Sequence, residues 1–226
     1  VPENSPILFR AHGTVPELWE DAKKKEMNII DATCPLVYEI HHEVKKLSKN
    51  GRKIIVVGDH GHDEVVAIAS QVEKSIIVSS VEEARSLKKM KRAGVVCQST
   101  QAIENVQGII NVLMEKVFDL HFVNTICFPT KRNHTEVKEL AKNNDVMIII
   151  GSFTSANSKR LTQLALQRNK KSYQVTKASE LKESWLKGSE VIGVSAGAST
   201  PDETIKEVVD ELKLYCKKID KEVVYG

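Results

Sequence analysis

One stretch of this chain occurs twice in altered form. KIIVVGDHGHDEVVAIAS…SIIVSSVEEARSL…AGVVCQST, beginning at Lys53, is matched by DVMIIIGSFTSANSKRLTQLA…KSYQVTKASELKESW…SEVIGVSAGAST, beginning at Asp145. Each copy reads as strand, polar loop, helix, strand, Ser- and Glu-rich helix, strand, polar loop, helix. The first strand of each copy ends in glycine, Gly58 and Gly151. Strands that alternate with helices demand parallel pairing with helical crossovers, which makes the fold class α/β. Runs such as IIVV and MIII have no polar alternation, so they read as strands buried on both faces. The copies are therefore expected to be three-layer α/β lobes.

Eight strands are expected: Ile7–Arg10, Met27–Asp31, Lys53–Gly58, Ser75–Ser79, Gly94–Gln98, Asp145–Gly151, Lys171–Thr176 and Glu190–Ser195. Between them lie helices, the clearest carrying the stripe Val37, Ile40, Val44 and Leu47. The expected organisation is a second lobe over 35–124, a third over 125–219 and a tail over 220–226. Residues 1–34 hold strand, helix and strand, too little to close a lobe. They read as the remnant of a first, incomplete lobe whose beginning precedes Val1.

The strand ends carry the chemistry. Cys34 follows MNIIDAT, and Cys127 follows the strand-like run FDLHFVNTI; amphipathic helices come after both. His12-Gly13, His62-Asp63-Glu64 and Ser155-Ala156-Asn157 end three further strands. Open α/β sheets hold their ligands at the carboxyl ends of strands, so these loops are candidates for one shared site. Cys34 and Cys127 suit a soft-metal or iron–sulfur centre. Ninety-three residues separate them, which matches no CxxC spacing, and small buried hydrophobe is the commoner use of a cysteine. Their place in loops rather than helix stripes favours ligation. Cys97, at a strand end, and Cys216, on the stripe Val209, Leu212, Cys216, read as core packing.

His62 and Glu64, two residues apart, can deliver protons to a substrate, or Glu64 can complement the dipole of the helix it opens. Ser155, Asn157, Ser195 and Ser199 lie in GSFTSANS and SAGAST, each opening a helix, where anion binding and ordinary capping compete. Gln98-Ser99-Thr100 open another helix with the same two uses. His41 and His42 read as structural.

Composition removes several classes. Lys and Arg outnumber Asp and Glu by 33 to 30, for a net charge of +3, which is too mild to argue for nucleic acid. Aromatic content of 5% leaves no base-stacking platform. Four scattered cysteines make no disulfide scaffold, and no apolar run is long enough to span a membrane. No G-x-G-x-x-G follows a strand, so a nicotinamide Rossmann enzyme is disfavoured. A zinc hydrolase using Cys34, His62 and Cys127 and a non-catalytic binder of a phosphate-bearing metabolite stay as alternatives.

AHG at 11–13, DATCPLV at 31–37, G-x-x-G-H-x-E at 58–64, Gln-Ser-Thr at 98–100, the Cys127 loop, G-S-x-x-S-x-N-S at 151–158 and SAGAS-x-PD at 195–202 occur in this order. Together they resemble the 4-hydroxy-3-methylbut-2-enyl diphosphate reductase family, iron–sulfur oxidoreductases of the non-mevalonate isoprenoid pathway. The resemblance covers essentially the whole chain. It implies three lobes around a central 4Fe–4S cluster held by three cysteines, with Cys34 and Cys127 as the second and third and the first upstream of Val1. It implies that His12, His62, Ser99, Thr100, Ser155, Asn157 and Ser199 bind the substrate and that Glu64 feeds protons to the departing hydroxyl. The implied reaction is reductive dehydroxylation of (E)-4-hydroxy-3-methylbut-2-enyl diphosphate to isopentenyl and dimethylallyl diphosphate. Electrons would come from an external donor such as ferredoxin or flavodoxin, in bacterial-type cytoplasm or a plastid, with no nucleic-acid or membrane partner. Ser99 stands where the family usually has Thr, Asp63 replaces a common Pro, Ala156 replaces a second pocket Ser, and FPTKRNHTE follows Cys127 in place of the usual A-T-x-x-R-Q.

Overall fold

The computed structural model describes residues 2 and 5–218 and divides the chain into two compact units, one ending at Cys127 and the other beginning at Phe128. The tail expected over 220–226, and Ile219 before it, lie outside the described residues. The first unit runs β1 (Pro6–Phe9), α1 (Pro16–Lys24), β2 (Asn28–Asp31), α2 (Pro35–Lys49), β3 (Lys53–Val57), α3 (Asp63–Ala69), β4 (Ser75–Val78), α4 (Val81–Ser86), β5 (Met90–Cys97), α5 (Ile103–Lys116) and β6 (Val117–Phe122). The second runs α6 (Phe128–Asn143), β7 (Val146–Ile150), α7 (Ala156–Leu166), β8 (Ser172–Val175), a 3₁₀ turn (Ala178–Glu180), α8 (Glu183–Leu186), β9 (Ile192–Ala196) and α9 (Asp202–Lys218).

All pairings are parallel. β1 and β2 form a two-stranded sheet, β4-β3-β5-β6 a four-stranded one and β8-β7-β9 a three-stranded one. The repeat seen in the sequence is thus β4-β3-β5 against β8-β7-β9. It extends to single hydrogen bonds. Gly58 N–H donates to Val78 O and Gly151 N–H to Val175 O. Glu83 accepts both the N–H and the hydroxyl of Ser79, and Glu180 accepts the same two groups of Thr176.

The continuous apolar runs are explained by burial on both faces. Ile54 and Val56 of β3 pack among Val44 and Leu47 of α2 and Val65 and Ile68 of α3. Their neighbours Ile55 and Val57 pack on the other face with Val106, Ile109 and Leu113 of α5. In β7, Met147 and Ile149 meet Val137, Leu161 and Leu164, while Val146, Ile148 and Ile150 meet Leu186, Val208 and Leu212. Side chains alternate across a strand, so a strand covered by helices on both faces has no solvent side to mark with polar residues.

Two readings need correction. FDLHF, which had no place in the eight expected strands, is most of the edge strand β6; Val117 ends α5 and starts β6 at once, so no turn residue marks the change. The stripe assigned to the last helix is also off by one position. Val208 and Leu212 are its buried residues, with Ile205 and Tyr215 packed beside them, and Cys216 is only half-buried. A 3.6-residue period carries that face through 205, 208, 212 and 215, one step around from 216. Cys97, by contrast, is core as expected.

His41 is buried on α2, and its Nε2 has no partner among the described residues. Burial, with the Lys45 ammonium adding to it, holds the imidazole at about 4, below its ordinary 6.5. The unfolded chain therefore takes up a proton that the folded chain refuses, and stability falls as pH drops from 6.5 toward 4. The loss should reach roughly 3 kcal/mol by pH 4. Urea unfolding at pH 7 and pH 4.5 should show His41→Gln losing markedly less than the unaltered chain; equal losses would mean His41 does not carry this acid limb.

Candidate functional site: the carboxyl ends of the strands

The crevice of an open α/β sheet forms where successive crossovers run in opposite directions from one strand. In the four-stranded sheet that point lies between β3 and β5, since β4 sits on one side of β3 and β5 on the other. Two loops emerge there, 58–62 from β3 and 98–102 from β5.

His62 is the N-cap of α3, and its Nδ1 accepts the Glu64 N–H at 3.2 Å. With Nδ1 an acceptor, the ring proton is on Nε2. The His12 ring lies edge-on to that of His62, with centroids 5.4 Å apart, and Arg10 pairs with Asp63 at 2.6 Å. The end of β1 is thereby joined to the start of α3. Asp63, at the position of a common Pro, is what Arg10 holds.

Glu64 is only 2% exposed. Its carboxylate accepts the Ser99 N–H at 2.6 Å and the Ser99 hydroxyl at 2.9 Å. A group that merely complements a helix dipole would point to solvent; this one reaches across 35 positions in sequence to the end of β5. Ser99 in turn accepts, through its carbonyl, the Cys127 N–H at 3.0 Å. Glu64, Ser99 and Cys127 are thus one connected chain.

The two cysteine loops, alike in the sequence in following a strand-like run and leading into a helix, prove to be the same device down to the hydrogen bond. β1, a loop, α1, β2 and Cys34 correspond to β5, a loop, α5, β6 and Cys127. Cys34 N–H donates to Ala11 O at 3.1 Å as Cys127 N–H does to Ser99 O. Ala11 and Ser99 each lie two residues beyond the end of their strands, Phe9 and Cys97. Both thiols are half-buried, and none of the four cysteines is in a disulfide.

Gln101 and Thr125 were not picked out in the sequence, and Gln98 was picked out only as a helix-opening residue with two competing uses. Gln98 and Gln101 are fully buried. Gln98 Oε1 accepts the Asp59 N–H, and its Nε2 donates to the Thr100 hydroxyl at 3.1 Å. Gln101 Nε2 donates to Asp59 Oδ1 and Gln98 Oε1. These amides lock the β3 and β5 loops together. Thr125 clamps Cys97 with its hydroxyl. A Gln after a strand has many uses, and only the fold shows this one.

The second unit has its own switch point between β7 and β9. Ser155 caps α7, its hydroxyl accepting the Ser158 N–H at 3.3 Å. Asn157 follows in the first turn, with its Nδ2 buried and without a partner among the described residues. A buried amide nitrogen without a partner among the described residues is a donor that a ligand, an ion or a water would complete. Ala156 leaves the first helical position without a side-chain donor. Ser199 is exposed in the loop after β9, and Thr200 fixes that loop through its hydroxyl on Ile150 O at 3.0 Å. A Cβ on Gly151 would come within 2.3 Å of Ser158 Oγ, and one on Gly197 within 2.2 Å, so both loops need glycine where they close over that side chain.

No group of three or more metal-ligating side chains occurs among the described residues. Cys34 and Cys127 are half-buried thiols on matched loops, donors that suit an iron–sulfur cluster and not a hard oxygen-seeking cation.

These features define an α/β protein with a thiol pair, a buried carboxylate and imidazoles at strand ends. The LytB protein family matches residues 1–213, and the chain belongs to that family. It is 39% identical to the 4-hydroxy-3-methylbut-2-enyl diphosphate reductase of Geobacter sulfurreducens over 216 residues, 95% of this chain and 77% of that one. The same-named protein of Nitratiruptor sp. is 38% identical over 94% of this chain and 78% of its own. Among solved structures, the E-1-hydroxy-2-methyl-but-2-enyl-4-diphosphate reductase of Plasmodium falciparum superposes with a TM-score of 0.89 at 29% identity, covering 94% of this chain and 69% of that one. A second, described as the terminal enzyme of the non-mevalonate pathway, gives 0.66 at 35% identity over 95% and 78%. Family members so named are oxidoreductases, and this chain spans about three quarters of their length.

Proposed function

We propose that this chain serves the reduction of (E)-4-hydroxy-3-methylbut-2-enyl diphosphate to isopentenyl and dimethylallyl diphosphate. The observation that carries the reading is the chain Glu64–Ser99–Cys127, a buried carboxylate joined through one serine to the backbone N–H of a cysteine on a strand-end loop. The reaction adds two electrons and two protons; the allylic C–O bond breaks, one proton leaves with the hydroxyl as water, and the other ends on carbon.

Cys34 and Cys127 would hold a 4Fe–4S cluster, with the third thiolate in the part of the relatives' length that this chain does not span. Such a cluster supplies the electrons and a Lewis-acidic iron for the substrate oxygen. The remaining work belongs to side chains. Glu64 relays a proton toward the departing hydroxyl. The Ser99 hydroxyl, which donates to Glu64, would turn to accept that proton as it releases its own. His62, with its proton on Nε2, and the adjoining His12 are donors for diphosphate oxygens. In the second unit the orphaned Asn157 amide, with Ser155 and Ser199, supports binding of an anionic group at that unit's own strand ends. Thr100, held by Gln98, is a further hydroxyl donor in the β5 loop. Electrons would come from an external one-electron carrier such as ferredoxin or flavodoxin, in bacterial-type cytoplasm or a plastid. No helix among the described residues is long and apolar enough to cross a membrane.

The test is direct. Protein extended to the relatives' full length, purified without oxygen and supplied with a chemical reductant, should convert the allylic diphosphate to the two isomeric products. Iron- and sulfide-loaded protein that binds the substrate but does not consume it would retire the reading and leave a phosphate-ligand binder.

A further inference from the structure

The matched cysteine loops differ at one place. Two residues before Cys34, the Ala32 N–H donates to the strand-end carbonyl of Phe9 at 3.0 Å. Two residues before Cys127 that bond is made by a side chain. Thr125 Oγ1 donates to the strand-end carbonyl of Cys97 at 2.6 Å and accepts the Cys97 N–H at 2.8 Å. The last backbone bond of the ladder is one step earlier, Val123 N–H to Val95 O at 2.9 Å. A single hydroxyl therefore stands in for the edge of a strand. Around it, Asn124 Oδ1 accepts the Ile126 N–H, and Ile126, 3% exposed, is pinned in the core beside β5. Cys127 then meets Ser99.

We propose that Thr125 is the positioning residue for Cys127: its hydroxyl, in place of a backbone amide, sets where that thiol sits relative to Ser99. Cys34 has no such dependence at the matched position, because there the Phe9 carbonyl is held by the Ala32 backbone amide; Asp31 Oδ1 accepts the Thr33 N–H just as Asn124 Oδ1 accepts that of Ile126, so this tie is common to both loops. The assignment concerns this chain's own geometry; its consequence for a cluster rests on the reading of Cys127 as a ligand.

Thr125→Val keeps the shape and deletes the hydroxyl, leaving the fully buried Cys97 amide and carbonyl without the bonds Thr125 now supplies. Thr125→Ser keeps the hydroxyl. The chain as it stands can be alkylated with iodoacetamide, and the rates at Cys34 and Cys127 read separately by peptide mass spectrometry. Thr125→Val should speed Cys127 about tenfold through more frequent local opening, with Cys34 within about twofold, and Thr125→Ser should stay within about twofold at both. An unchanged Cys127 rate in Thr125→Val, an equal rise at Cys34, or a Ser variant that behaves like Val would each overturn the proposal. Should Thr125→Val fail to fold, hydrogen exchange of the Cys127 amide decides between the unaltered chain and Thr125→Ser. Protection in both supports the proposal, and an unprotected amide in the unaltered chain overturns it. In full-length protein, iron and sulfide should be lost to a chelator severalfold faster from Thr125→Val than from Thr125→Ser. Equal loss, with the alkylation difference present, would sink the ligand reading and leave the positioning intact.

Discussion

Cys34→Ser and Cys127→Ser are each expected to abolish turnover in the protein extended to its relatives' full length, while Cys216→Ser leaves it nearly intact. The distinction is one of position. Cys34 and Cys127 end matched loops, each held by its own N–H on a carbonyl two residues beyond a strand. A thiol there is presented at the carboxyl edge of its sheet, where an α/β fold gathers its ligands. Cys216 is half-buried near the end of α9, with no loop to present it. Serine offers a hard, protonated oxygen in place of a soft thiolate, so the loss is of the centre itself and not of a contact to it. Iron and sulfide content should fall with turnover in the two loop variants and stay level in the third. Equal loss from all three would remove the basis on which the thiol pair was chosen.

What the sequence made legible follows from which forces are local. β3 and β7 were readable because helices cover both their faces, which leaves an uninterrupted Ile/Val run. The stripe Val37, Ile40, Val44 and Leu47 was readable because a helix on a sheet buries one residue in 3.6, and all four are at most 3% exposed. β6 was legible only as the strand-like run before Cys127, outside the eight expected strands, because an edge strand half in solvent mixes Asp119 and His121 with Leu120 and Phe122 and follows α5 without a turn. The site divides in the same way. His62 and Glu64 could be picked out, since both lie at one strand end. That Glu64 binds Ser99 could not, since the partner is 35 residues away and the bond exists only once β3 and β5 pair. Gln101 and Thr125 were missed, and the task of Gln98 was not seen, for the same reason. Their residue types are ordinary in loops, and their task is to replace backbone bonds where strands end.

Glu64→Gln should keep the affinity for the allylic diphosphate and lower turnover by roughly 10²-fold or more, the usual loss for removing a general acid. The substitution is close to isosteric. Its carbonyl oxygen can still accept the Ser99 N–H, and its amide can donate to the Ser99 hydroxyl, which rotates to accept. The bridge between α3 and β5 survives, but an amide cannot take up a proton and pass it on. If Glu64 acted only on the helix dipole, its removal would cost at most about 1 kcal/mol of stability and leave chemistry alone. Its burial and the use of both carboxylate oxygens by Ser99 argue against that smaller role. Ser99→Ala separates the two further. It leaves the N–H bond to Glu64 and the carbonyl bond to Cys127, and deletes only the hydroxyl through which a proton would pass. Turnover should fall by a comparable factor in both variants, and the double variant should be little worse than either, because residues on one path fail together. Single-turnover kinetics at saturating substrate with a chemical reductant gives the measurement. Losses that multiply in the double variant would place Glu64 and Ser99 on separate tasks, and unchanged turnover with a lowered melting temperature would return Glu64 to the status of a buried structural acid.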